Sequence, residues 1–388
     1  MSEAAHIQVI DVDTHVTEPR DLWSSRLPNK YLERAPRVEV DVESGLKRWI
    51  VGDFALSPEA QSCHAGWREF HPSFPPTLEE ADPAGWDAHA RLKRMDEHGI
   101  FAQMLYPNLL GFQFYAFMDM GDIDLSLACV RAYNDFQTDF CSADPRRLIP
   151  IANLPIWDVP ASVRELERCA AAGHRGINFG VEMERLGFPP LKSGHWDPLL
   201  AAAQDLNLPV TFHIGFQVGT KKTSLERRAL AMADPVEGAK HTALLFAGNM
   251  NGIAEVIMGG ICARFPRLKF VSVESGYGYV PFLLEALDWQ FRNSAARSIR
   301  SDWLLPSEFF RRQMYATFWF EQGIHRQIDL YPDNVMFESD FPHPTSLSPG
   351  PGSIAQSAKD TIIANLAALD DATLRKVLHE TAASVYGL

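Results

Sequence analysis

The strongest constraint in this chain of 388 residues is an alternation: eight short, β-rich apolar runs, with helical patterns between most of them. The runs are IQVIDVDTHV (7–16), FAQMLYP (101–107), LIPIANLPI (148–156), RGINFG (175–180), LPVTFHIG (208–215), LKFVSVESG (268–276), QMYATFWF (313–320) and NVMFESDFPH (334–343). Helical spacing occupies 85–99, 124–142, 159–173, 196–207 and 280–294. The first and third of these end in glycine, a common helix stop. Strands that alternate with helices pair in parallel through crossovers, and eight of them suit an α/β fold of the (β/α)8 barrel type. A doubly wound open sheet is the alternative, weakened because neither GxGxxG nor a P-loop follows the first run. Residues 20–83 break the alternation with prolines, aromatics and a candidate hairpin, RVEVDVESGLKRWIVG. They read as an insertion after strand one, over the catalytic face of a single barrel domain spanning 1–388. The tail ATLRKVLHETAASVYGL reads as a C-terminal helix on the barrel.

The first run carries charge where a strand should carry core. Side chains alternate along a strand, so Asp11, Asp13 and His15 are expected on one face. In a barrel that face is the packed interior, where an unpaired carboxylate is costly. No basic side chain stands in the segment, and a divalent cation is the natural partner. Three more runs carry such residues: His213 closes LPVTFH, Glu274 closes FVSVE and Asp340 closes VMFESD. Barrel sites form at the C-terminal ends of strands, so Asp13, His15, His213, Glu274 and Asp340 are expected to converge there as metal ligands. Their oxygen and imidazole donors suit Zn²⁺, Fe²⁺ or Mn²⁺. Asp11 lies one layer deeper and is assigned a structural role. Taken singly, each residue has an ordinary reading, as a core histidine, a turn aspartate or a helix N-terminal acid. Their shared position at strand ends favours the metal.

With these residues in view, the chain resembles the amidohydrolase-related branch of the amidohydrolase superfamily. That branch contains aminocarboxymuconate-semialdehyde decarboxylase and the resorcylate and carboxyvanillate decarboxylases. The resemblance covers nearly the whole chain and rests on DVDTH, RLKRMDEHGIFAQMLYP, YNDF…ADPRRLIPIANLP, GHRGINF, LPVTFHIG, ESGYGYVPFLLEALDW, FESDFPHP and ASVYGL. It implies a (β/α)8 barrel with a divalent metal. It puts the first-strand ligand pair on Asp13 and His15, the fifth-strand histidine on His213 and the eighth-strand aspartate on Asp340. Decarboxylases of the branch generally have a histidine at the end of strand six, where this chain has Glu274. The superfamily's usual bridging lysine on strand four has no match, and Asn178 stands there.

Glu274 makes a third carboxylate beside Asp13 and Asp340, and when ionised it cannot donate a proton. Repulsion among the three favours additional cation, so one or two metals per chain are expected, the second bridged by Glu274. This arrangement leads to hydrolysis of an amide, ester or thioester by a metal-activated water, with Asp340 as base and Glu274 bridging or orienting the water. Metal-dependent, non-oxidative decarboxylation of an aromatic or unsaturated acid is the alternative. A carbon–carbon hydrolase or hydratase and a non-catalytic scaffold come after it. Residues 104–120 are too apolar for an ordinary surface loop. They are expected to line a pocket for a bulky apolar or aromatic acyl group with Phe112, Phe114, Tyr115 and Phe117, or else to form buried core or a dimer interface. His343 is expected to touch substrate, or else to be a hydrogen-bonded loop histidine. Arg20, Arg68 and Lys221 are candidate anion binders, and 215–224 reads as a mobile active-site loop.

The net charge of −13 disfavours nucleic acid and anionic membranes as partners. No apolar stretch reaches the ~20 residues of a membrane span. The opening residues MSEAAHIQVI form no basic-apolar leader, and the five scattered cysteines form no CxxC pair. Both point to a cytoplasmic protein with reduced thiols. The expected site implies a small-molecule substrate, and the apolar insertion and the size of the barrel suggest a homodimer.

Overall fold

The computed structural model describes residues 6–216 and 232–388. Every one of the eight apolar runs contains a strand. In chain order the strands are β1 (Val9–Val16), β2 (Arg37–Val40), β3 (Lys47–Val51), β4 (Phe54–Pro58), β5 (Ile100–Pro107), β6 (Leu148–Pro150), β7 (Ala152–Asn153), β8 (Ile177–Asn178), β9 (Val210–His213), β10 (Phe270–Val273), β11 (Met314–Phe318) and β12 (Val335–Phe337). Two parallel ladders run β1-β5-β6 and β7-β8-β9-β10-β11-β12. β6 and β7 are halves of one run, parted at Ile151, which joins the ladders on one side. On the other side Asp340 N donates to Asp13 O at 2.9 Å and His15 N to Phe341 O at 2.7 Å. These bonds link β1 to the chain leaving β12, so the parallel strands form the expected barrel.

Ile10, Val12, Ala102, Met104, Ile149, Ile151, Val271, Val273 and Met336 fill the barrel interior. Ala382, Val385 and Tyr386, from the C-terminal helix, pack on the same cluster and close its floor. The opposite faces of the strands meet the surrounding helices in the larger core. Helix Ala88–His98 illustrates the local logic. The Asp87 side chain accepts from Ala90 N to start it, and Gly99, at φ +72°, ends it. Its Arg91 is wholly buried beneath β1 and β5.

The hairpin expected within 20–83 forms from β2 and β3, with Arg37 opposite Ile50. The sequence reading missed β4, which pairs with β3 after a two-residue reversal at Gly52, φ +55°.

One expectation fails in β1. Asp11 pairs with Gln103 and Thr14 with Leu105, so three steps along β1 match two along β5. This bulge breaks the alternation. Asp11 faces away from Asp13 and His15, where its carboxylate accepts from Gln103 Nε2 at 3.1 Å and from Ser339 N and Oγ at 2.8 and 2.6 Å. Its structural role survives, but not its place on the same face. Among the described residues no helix is long and apolar enough to cross a membrane.

Candidate metal centre

The five expected ligands do converge. Potential donor atoms of Asp13, His15 and His213 lie within 4.8 Å of one another, as do those of Asp13, Glu274 and Asp340, and those of His15, Asp340 and His343. The backbone bends to bring this about at two strand ends: Glu274 and Asp340 take left-handed φ of +53° and +57°. Side-chain-bearing residues seldom adopt such angles, and they do so mainly where a site requires it.

Hydrogen bonds fix the imidazoles. His15 Nδ1 lies 3.1 Å from the Pro107 carbonyl, and His213 Nδ1 lies 2.7 Å from the Ile214 carbonyl. A carbonyl only accepts, so each Nδ1 carries a proton and each Nε2 presents its lone pair inward. The two Nε2 atoms stand 3.1 Å apart. Asp13 sends one oxygen to within 3.4 Å of each. Both Asp13 oxygens are buried, and among the described residues neither has a hydrogen-bond partner. Glu274 Oε2 is 3.4 Å from His213 Nε2, and Asp340 Oδ1 is 3.8 Å from His15 Nε2. Two donors each ~2.1 Å from one first-row ion are ~3.0 Å apart at a right angle and ~3.4 Å apart at the tetrahedral angle. The donor set therefore fits a divalent cation in spacing, in tautomer and in charge.

The electrostatics point the same way. Burial pushes the Glu274 carboxyl well above its ordinary value, and the charges of Asp340 and Asp13 push it further. Burial opposes charge on Asp13 too, but His213 and His15 outweigh it and hold that carboxyl well below the usual range. His15 falls to about 4, chiefly through burial. His213 rises despite burial, because Asp13 lies beside it. Without a cation, the Nε2 contact needs a proton on one ring, and Asp13 favours His213.

Three neighbours were not read from the sequence. Glu338 is fully buried, and its Oε2 accepts from Glu274 N at 3.1 Å. Burial and the Asp13 charge raise its carboxyl well above the ordinary value. Thr345 Oγ1 donates to Asp340 Oδ2 and lies 3.4 Å from Glu274 Oε1. Asn108 reaches His343. Glu338 had a signal: it sits two residues before Asp340 in FESD, the same spacing that singled out Asp13 and His15.

A cavity of about 390 Å³ opens beside the cluster, lined among others by Phe112, Tyr115, Leu245, Phe246, Glu274 and His343. Residues 55–72 of the inserted segment supply Leu56, Gln61 and His71 to its wall. Phe112 covers the imidazoles, with ring centroids 5.5 Å from His15 and 5.2 Å from His213. Phe114 does not line the cavity; it is buried against Phe216, with centroids 5.1 Å apart. Phe117 is likewise core, against Trp23. Arg20 and Arg68 are not in the wall either. Arg20 is tied to Glu59 and Glu79, and Arg68 lies over the Trp67 ring beside Glu69. Lys221 and most of 215–224 lie outside the described residues. Asn178, at the position of the missing lysine, donates weakly to Asn153 Oδ1 at 3.4 Å.

Known proteins with similar sequences and folds bear on this site. The 2-amino-3-carboxymuconate-6-semialdehyde decarboxylase of Dictyostelium discoideum is 25% identical over 291 residues, covering 72% of this chain and 73% of that protein. An amidohydrolase of Mycobacterium avium subsp. paratuberculosis superposes with a TM-score of 0.74 at 21% identity, covering 98% of this chain and 99% of that one. The 5-carboxyvanillate decarboxylase of Novosphingobium aromaticivorans, solved with bound manganese and 3-methoxy-4-hydroxy-5-nitrobenzoic acid, gives 0.63 at 18% identity, covering 100% and 99%. The expectation of amide, ester or thioester hydrolysis is thereby corrected: the Dictyostelium relative and the carboxyvanillate enzyme are both decarboxylases. The inference from Glu274 to hydrolysis gave one side chain too much weight. The family model described as amidohydrolase matches residues 10–388, and the chain belongs to that family, in the branch its motifs indicated.

Proposed function

We propose that this protein removes a carboxylate, as carbon dioxide, from an aromatic or unsaturated carboxylic acid, with a divalent cation as cofactor. The observation that carries the reading is that the donor cluster opens onto a mainly apolar cavity. Glu274, His343 and Thr345 stand at the cluster and line the cavity, together with Phe112, Tyr115, Leu245 and Phe246 and with polar side chains such as Gln61 and Gln113. An aromatic or unsaturated acid fits a mainly apolar cavity with a cation at its base. Asp13, His15, His213 and Asp340 would hold the cation, and Glu274 completes the set. When bound, the cation supplies positive charge that holds the substrate carboxylate and offsets electron density as the carbon–carbon bond breaks. Manganese is the ion in the carboxyvanillate decarboxylase, and oxygen and imidazole donors also suit zinc or iron.

The reaction replaces the carboxylate with hydrogen, so a proton must reach the vacated carbon. His343 Nδ1 and Asp340 Oδ1 meet at 2.7 Å. His343 lines the cavity, so this contact lies at its edge. Asp340 is the acid that delivers the proton. Phe112 lies over the buried imidazoles at the cluster and lines the cavity beside them.

The test is carbon dioxide release from hydroxybenzoic and muconic-type acids by the metal-loaded protein. Release that stops on chelation and in Asp340→Asn is expected. Equal release after removal of the metal, or undiminished turnover in Asp340→Asn, sinks the reading.

A further inference from the structure

The loop after β5 starts at Asn108, just ahead of the helical turn Leu109–Phe112. Asparagine at such a place ordinarily caps the turn with its own side chain. Here Glu18 caps it instead, and its Oε1 accepts from the N–H of Asn108 at 3.0 Å and of Leu109 at 2.8 Å. The Asn108 side chain is left to reach further. Its Nδ2 donates to the Val16 carbonyl at 3.0 Å, which fixes the amide and turns Oδ1 toward His343. His343 Nε2 lies 2.7 Å from that oxygen. An amide carbonyl only accepts, so Nε2 is the donor. The same ring stacks on His15, with centroids 3.9 Å and planes 27° apart, and its Nδ1 meets Asp340.

We propose that Asn108 is a positioning residue for the decarboxylation: its side-chain carbonyl holds the His343 ring flat on His15, with Nδ1 against Asp340 at the cavity edge. The catalytic part of this rests on the decarboxylase reading; the hydrogen-bond geometry does not. His343 turns about two side-chain bonds, and stacking alone leaves the ring free to flip. The bond to Asn108 selects one of the two flips. It thereby decides which ring nitrogen faces Asp340.

Asn108→Ala and Asn108→Asp separate this role from a structural one. Aspartate keeps an acceptor for His343 but loses the donor to Val16. The first readout is the histidine side-chain ¹⁵N spectrum of the zinc-loaded, ¹⁵N-labelled protein, with the His343 signals assigned by their loss in His343→Gln. Asn108→Ala is expected to move the His343 signals and leave those of His15 and His213 in place, and Asn108→Asp is expected to keep a protonated Nε2 signal for His343, since its carboxylate still accepts from that nitrogen. The second readout is turnover. A 10- to 100-fold fall in kcat is expected in Asn108→Ala, with KM and metal content within threefold, and most of kcat restored in Asn108→Asp. His343 signals unchanged in Asn108→Ala overturn the proposal, as does a kcat in Asn108→Asp as low as in Asn108→Ala. The spectra need no substrate, so a wild-type protein that decarboxylates nothing counts against the functional reading alone.

Discussion

The guanidinium of Arg91 grips the backbone carbonyl of His15 at 2.6 Å. The same side chain donates to the Ala84 carbonyl at 2.6 Å and to Gln103 Oε1 at 3.2 Å, all of it buried. A helix behind the barrel thus sets the height of β1, and with it the imidazole that β1 carries. Replacement by methionine keeps some of the volume and leaves buried acceptors unpaired. Arg91→Met is expected to lose about 3–5 kcal/mol of stability in urea unfolding. A loss under 1 kcal/mol would mean that water replaces the guanidinium without cost.

Burial raises the Glu18 carboxyl to about 7, and the backbone N–H bonds from Leu109 and Asn108 only partly offset it. The folded chain therefore keeps a proton there that the unfolded chain gives up. Stability from this group is unaffected below the unfolded value of 4.5, falls as pH rises toward 7, and is lost above it. Glu18→Gln keeps the acceptor oxygen and cannot ionise. Between pH 4.5 and 7 the wild-type protein is expected to lose about 3 kcal/mol relative to Glu18→Gln, at 1.36 kcal/mol per unit. Urea unfolding at several pH values checks this, and a constant difference between the two proteins would refute it.

Phe112 and Phe114 stand two residues apart and are expected to behave differently. Phe112 lines the cavity, whereas Phe114 is buried against Phe216. Phe114→Ala should cost about 3–5 kcal/mol and leave KM near the wild-type value. Phe112→Ala should raise KM for an aromatic acid several-fold. Steady-state kinetics beside unfolding curves separate the two, and a raised KM in Phe114→Ala alone would reverse the assignment.

Much of this was legible in the sequence because strand ends have a simple grammar. His213, Glu274 and Asp340 close apolar runs, and the barrel's closure brings such ends together whatever the loops do. Asp11 was misplaced because a bulge depends on the partner strand: the slip appears only when Asp11 meets Gln103 and Thr14 meets Leu105. Phe114 was misread because an apolar helical turn does not say which of its rings faces a cavity. The left-handed turns at Glu274 and Asp340 left no mark either, since glycine would have announced them and carboxylates do not. Asn108 was invisible for a different reason. Its partner, His343, is separated from it by 235 residues of chain.

The most direct measurement is calorimetric titration of Mn²⁺ into the metal-free protein, side by side with His213→Gln and Asp13→Asn. Saturable binding in the wild-type protein, weakened at least 100-fold in both variants while each remains folded by circular dichroism, is the predicted result. Equal affinity in all three proteins, or no binding in any, would contradict a metal centre built on Asp13, His15, His213 and Asp340.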